Sequence, residues 1–175
     1  VHVELDTRLD NRFLDLRRAH IAAMFRLRGK VLQYGREALI NEGFFETHTP
    51  KIVATATEGG TDLFPMQYFD TPAFLNQSPQ LFKQLCMSGG LERVFEIGPA
   101  FRAEKHDTYR HLNEFISFDI ECSWATDDDV MGVLERMIHH MWQSIANDEE
   151  SKSYIATINE YLSLIHISEP TRRYS

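Results

Sequence analysis

The fifteen residues from Phe101 to Phe115, FRAEKHDTYRHLNEF, constrain the fold more than any other stretch. Charged groups this dense cannot enter a hydrophobic core, yet the flanking segments 92–104 and 114–124 alternate apolar and polar residues. Successive side chains on a strand point to opposite faces, so the alternation predicts two strands. In the second, Ile116, Phe118, Ile120, Cys122 and Trp124 form a core face, and Phe115, Ser117, Asp119, Glu121 and Ser123 point the other way. By the same rule Arg102 and Glu104 share a face on the first. The link KHDTYR is too long for a two-residue turn and predicts a mobile hairpin loop. The platform presents Arg102, Glu104, Asp119 and Glu121, with Arg110 and His111 returning from the loop. Arginine pairs with phosphate or carboxylate through a planar fork, carboxylates suit an ammonium or amine, and Phe115 offers a stacking face. A nucleotide together with a zwitterionic amino acid would satisfy all of them.

Length and charge narrow the classes. A chain of 175 residues, 43% hydrophobic and 11% aromatic, can build a globular core. Its net charge of −8 argues against the broad basic surface of a general nucleic-acid binder, so an anion must be gripped by a few placed cations. No apolar run approaches the ~20 residues of a membrane span, and no signal peptide is visible. The first residue is Val1, from which a start further upstream is expected. Cys86 and Cys122 lie among apolar neighbours and read as reduced thiols of a cytoplasmic protein.

Local signals order the rest. Residues 4–18 alternate acids with Arg8, Arg12, Arg17 and Arg18 and read as a solvated, salt-bridged lead-in. Ile21, Phe25, Val31, Leu32, Ala38 and Leu39 recur at helical spacing from Ala19 to Glu42, and Gly43 is placed to stop that helix. FFETHTPKIVATAT reads as extended with Pro50 at an edge or bend, and TEGGTDLF as a glycine-hinged loop. Ser78 suits an N-cap, Pro79 the first helical position and Gly89–Gly90 the stop. On that helix Gln80, Lys83 and Gln84 share a face beside an apolar stripe of Leu81 and Leu85. Lys83 reads equally as a surface charge or a site residue. A second long helix starts at Thr126 as N-cap, with Asp127, Asp128 and Asp129 at the positive end of its dipole. Its buried stripe is expected at Val130, Val133, Leu134, Met137, Ile138, Met141, Trp142 and Ile145. Capping explains the acid triplet better than a calcium loop, whose glycine and distal glutamate are not at the right spacing. Adjacent His139 and His140 point different ways on a helix and make a poor metal pair.

These segments carry a resemblance. FRAE, the loop and RHLNEF together resemble motif 2 of the class II aminoacyl-tRNA synthetases, and GFFETHTPKI resembles their motif 1 with its proline at Pro50. TEGGTDLF and QSPQLFKQ are similar to the amino-acid-binding segments of aspartyl-tRNA synthetases of archaeal and eukaryotic type. LDTRLDNRFLDLR resembles the hinge after their anticodon-binding domain. The resemblance covers residues 4 to 150 and implies an α/β (α+β) fold, a mainly antiparallel sheet flanked by helices, incomplete in this chain. It also implies ATP-dependent activation of aspartate and transfer to tRNA(Asp), by a cytoplasmic homodimer with Pro50 at its interface.

By motif, Arg102 matches the catalytic arginine that holds the ATP α-phosphate and the amino-acid carboxylate. Ala103, Glu104, Arg110, His111, Leu112 and Phe115 match the rest of the ATP site: Arg110 and His111 reach the outer phosphates and Phe115 stacks on adenine. Glu58 matches the flexible-loop glutamate that closes over the amino acid. Gln80, Leu81, Phe82 and Lys83 match the aspartate-binding segment, with Lys83 facing the side-chain carboxylate, and Asp119 and Glu121 support that pocket. Asparaginyl relatives resemble this scaffold without that lysine, which favours aspartate.

Two departures shape the expectation. No anticodon-binding barrel precedes Val1, and no glycine-rich motif 3 is present, so the ligands for Mg2+ are expected outside the chain. SLIHISEPTRRYS breaks the family pattern. The expected organisation is a lead-in over 1–18, the front part of a catalytic domain over 19–162, and a non-native tail over 163–175. As a fragment it is expected to be inactive alone. The alternatives are an asparaginyl relative and a non-catalytic, synthetase-like binding protein.

Overall fold

Twenty-three residues from Ala19 to Asn41 form the longest helix, α3, which follows two short ones, α1 (Leu5–Asp10) and α2 (Arg12–Asp15). α3 ends where expected. Gly43 takes φ +82, its N–H bonds the carbonyl of Ile40, and the Phe44 N–H bonds that of Leu39, each at 3.0 Å. This pair of bonds satisfies the last carbonyls of the helix and needs a left-handed residue, which glycine adopts without strain. Leu39 and Phe44, the two residues joined by the second bond, are both buried. The computed structural model describes residues 3–55, 62–105, 108 and 111–168, with side chains to residue 162.

The chain divides into two compact units. One comprises Arg36–Glu135 and contains the sheets. Strand β1 (Phe45–Glu46) pairs parallel with β5 (Arg93–Phe101), and β5 pairs antiparallel with β6 (Glu114–Cys122) through nine rungs, Arg93 opposite Cys122 to Phe101 opposite Glu114. A second sheet, in the order β2-β4-β3, joins β2 (Ile52–Val53), β4 (Thr71–Leu75) and β3 (Pro65–Tyr68), all antiparallel. The β3–β4 hairpin is not foreseen in the sequence; it turns at Phe69 and Asp70, with Phe69 at φ 51. Helix α4 (Gln80–Ser88) packs on β5 and β6. Leu39, Phe44, Val53, Ala73, Val94, Phe95 and Ala100 form the core.

The strands are shorter than expected. β5 stops at Phe101, so Arg102 and Glu104 lie just beyond it, although the Arg102 N–H still bonds the Asn113 carbonyl at 2.9 Å. β6 stops at Cys122. Trp124 therefore does not join the core face: it sits at φ 60 and is 96% exposed, because the Ser123 N–H bonds the Glu92 carbonyl and the chain turns away.

The other unit comprises Val1–Gly35 with Arg136–Ser175. Its lead-in is not merely solvated. Asp15 is 4% exposed and receives Arg8 Nε at 2.8 Å, Arg18 at 3.5 Å and a contact from Arg12, and these partners hold its carboxyl below the usual range. Four charges converge where the sequence shows only alternation. The later helix α5 (Asp127–Asn147) is capped as expected, with Thr126 and Asp129 exchanging N–H and hydroxyl bonds. Its stripe is narrower than expected. Val133, Met137 and Ile145 are buried, whereas Val130, Leu134, Ile138 and Trp142 stay exposed.

Helix α6 (Glu149–Ser168) starts on a cap that gives a pH prediction. Asp148 accepts the Ser151 N–H at 3.0 Å and hydroxyl at 2.6 Å, with Lys30 at 3.2 Å. The Ser151 hydroxyl bond, with Lys30 in support, pushes the Asp148 carboxyl from 3.8 down to about 2. A pKa lowered on folding stabilises above the unfolded value and is lost as pH falls through the folded one. Asp148→Ala is therefore expected to lower Tm at pH 6, with the gap to wild type closing as pH falls from about 4 to 2. An equal gap at both ends would refute this assignment.

Candidate active site

The β5–β6 register decides which side chains meet. Val94, Glu96, Gly98 and Ala100 lie directly opposite Glu121, Asp119, Ser117 and Phe115, so all eight share one face. Three acids on one sheet face need cations, and helix α4 supplies one. The loop before it is tied down by Asn76, whose amide Nδ2 donates to the Pro50 carbonyl at 3.0 Å and whose Oδ1 accepts the Ser78 N–H at 2.8 Å. The Ser78 hydroxyl accepts the Gln80 N–H at 3.3 Å, but α4 starts one residue later than expected: Pro79, not Ser78, is its N-cap, and no side-chain bond caps it.

α4 then inverts the usual rule. Lys83 is 0% exposed, whereas Leu81 and Leu85 are 46% and 66% exposed. The Lys83 ammonium is held by Asp119 and, at 3.3 Å, by Glu121. A buried lysine persists only when its charge is met, and here two carboxylates meet it. Gln80 is exposed and Phe82 half-buried, so the expected Gln80–Lys83 face is split between solvent and interior.

At the other end of the face the Arg102 guanidinium carbon lies 5.5 Å from the Phe115 ring centroid, a cation–π arrangement that orients both. The Ala103 N–H bonds the Asp62 carbonyl at 3.0 Å. Glu104 is half-buried; His111 and Leu112 are exposed, with His111 Nδ1 2.6 Å from the Thr108 hydroxyl. Pro50 is exposed between β1 and β2. Glu58 and Arg110 lie outside the described residues.

Sequence reasoning missed Glu96. It is 2% exposed, and its carboxylate binds the Lys51 ammonium, the Thr49 N–H at 3.2 Å and the Thr49 hydroxyl at 2.7 Å. The signal was present: Glu96 has the same parity along the strand as Arg102 and Glu104, with a glycine two residues on. With Lys83 the acids Asp119 and Glu121 leave one net negative charge, which suits an ammonium, while Arg102 suits an anion beside a ring. Among the described residues no group of three or more His, Cys, Asp or Glu side chains fits a metal ion.

A family model, the class II tRNA synthetases (D, K and N), matches residues 4–175. The chain belongs to this family. The class II synthetase chain is 54% identical over 174 residues to the aspartate–tRNA(Asp/Asn) ligase of Archaeoglobus fulgidus, covering 99% of this chain and 40% of that protein. Among solved structures it resembles a putative aspartyl-tRNA synthetase from Leishmania major Friedlin, at TM-score 0.79 and 38% identity, covering 89% of this chain and 30% of that one. It also resembles the asparaginyl-tRNA synthetase of Pyrococcus horikoshii complexed with asparaginyl-adenylate, at TM-score 0.70 and 28% identity, covering 98% and 43%. The synthetase chain thus spans well under half the length of these relatives.

Proposed function

We propose that this chain carries the aspartate pocket and part of the ATP site of an aspartate–tRNA ligase. The observation that carries the reading is the fully buried Lys83 clasped by Asp119 and Glu121 on the same strand face as Phe115. A lysine ammonium has three N–H donors, and among the described residues these two acids take two of them. The third donates to the ligand's side-chain carboxylate. Asp119 and Glu121 hold the lysine in place and turn surplus negative charge toward the ligand's ammonium.

In the reaction the α-carboxylate oxygen attacks the α-phosphorus of ATP, pyrophosphate leaves, and aspartyl-adenylate remains. Arg102 bridges that carboxylate and the α-phosphate, where negative charge grows in the transition state. Phe115 stacks on adenine, backed by Arg102; Glu104, Arg110 and His111 contact the nucleotide, and Glu58 closes over the amino acid. The tRNA 3′ hydroxyl then attacks the activated carbonyl and AMP departs. The names of the Archaeoglobus and Leishmania relatives support aspartate over asparagine, and a lysine in the pocket supports it independently, since a neutral amide leaves an ammonium poorly paired. The test is aspartate-dependent ATP–pyrophosphate exchange by the full-length protein. The 175-residue chain alone is expected to show none.

The protein works as a two-fold dimer in the cytoplasm, a reading supported by Met24 and Phe25 exposed on α3, Pro50 exposed beside β2, and two free cysteines. No helix among the described residues is long and apolar enough to cross a membrane. Light scattering of the full-length protein over a concentration series should give a dimer mass; a concentration-independent monomer would contradict it.

A further inference from the structure

We propose that Lys51 is a positioning residue for the aspartate pocket, acting by neutralising Glu96 so that Glu96 does not compete for Lys83. The inference rests on the assignment of Lys83 to the ligand's carboxylate.

Glu96 and Asp119 stand directly opposite each other across β5 and β6, on one face. Directly opposed residues have Cβ atoms ~4.5–5.5 Å apart, close enough for like charges to destabilise the pair. Asp119 is answered by Lys83. Glu96, almost wholly buried, is answered by Lys51, whose ammonium also lies 3.1 Å from the Thr49 hydroxyl that donates to the same carboxylate. The arrangement is built rather than incidental. A Cβ at Gly98 would fall 2.7 Å from Glu96 Oε1, so the strand leaves room there for the carboxylate. The face therefore holds two acid–lysine couples side by side, and each lysine keeps its acid from the other.

Taking away Lys51 leaves a buried carboxylate poorly met by one hydroxyl and one N–H, which is costly. The other lysine of this face is Lys83. Its ammonium is then drawn toward Glu96, and its third donor is lost to the ligand. A purely structural clamp predicts something else. If Lys51 and Glu96 only fasten residues 49–51 to β5, losing Lys51 lowers stability and does not raise the aspartate KM selectively over the ATP KM.

The experiment measures exchange kinetics in the full-length protein. Lys51→Met is expected to raise the aspartate KM roughly tenfold while the ATP KM stays within about twofold. Lys51→Met with Glu96→Gln should bring the aspartate KM back to within about threefold of wild type, because the surplus charge is gone. Lys51→Arg, which keeps the charge, should stay near wild type. If Lys51→Met does not fold, Lys51→Gln replaces it in the same comparison. An unchanged aspartate KM in the single variant, or a double variant no better than the single, overturns the proposal while wild-type exchange leaves the functional reading standing. A wild-type protein with no aspartate-dependent exchange overturns that reading and this inference together.

Discussion

Lys83→Leu is expected to abolish efficient aspartate activation while leaving ATP binding almost intact. The side chain is 0% exposed, and Asp119 and Glu121 both contact its ammonium. Leucine keeps much of the volume and removes the charge. The ligand's carboxylate then meets two carboxylates with no cation between them. Truncating one partner of a buried charge pair costs about 2–5 kcal/mol, or roughly 30- to 4000-fold in aspartate kcat/KM. Exchange kinetics at varied aspartate and varied ATP separate the two effects. Asp119 and Glu121 are themselves 27% and 21% exposed, so water can take up part of their charge and the variant should still fold. Unchanged aspartate kinetics would show that Lys83 is only a core ion pair.

Arg102→Ala is expected to lower kcat for exchange by ~10²-fold or more, by analogy with removing a preorganised donor from a developing oxyanion. The loss has a second part, because Phe115 no longer has a guanidinium over its ring. Arg102→Lys should recover only a fraction, since an ammonium supplies charge without the two-pronged fork. Single-turnover formation of adenylate is the direct readout. A kcat within about threefold of wild type in the alanine variant would remove Arg102 from the transition state.

The strand face was legible because period-two alternation is a strong signal: Phe115, Asp119 and Glu121 share a face as the sequence predicts. The end of α3 was legible because only glycine is comfortable at φ +82. The inward turn of Lys83 was not. Hydrophobic patterning orients a helix by its leucines, and α4 is oriented by an ion cluster that spans 36 residues of sequence from Lys83 to Asp119. Asp15 was hidden for a related reason, since three arginines converging on one carboxylate look, in sequence, like any salt-bridged surface. Glu96 depends on Lys51, 45 residues earlier, and no local rule joins them. Long-range electrostatics set these features, and periodicity does not report it.

The central claim is that Lys83, framed by Asp119 and Glu121, reads a side-chain carboxylate. The most direct measurement is ATP–pyrophosphate exchange by the full-length protein with aspartate or asparagine as the amino acid. The account predicts robust exchange with aspartate and kcat/KM at least ~10²-fold lower with asparagine, whose amide cannot satisfy a buried ammonium. Equal or faster exchange with asparagine would contradict it.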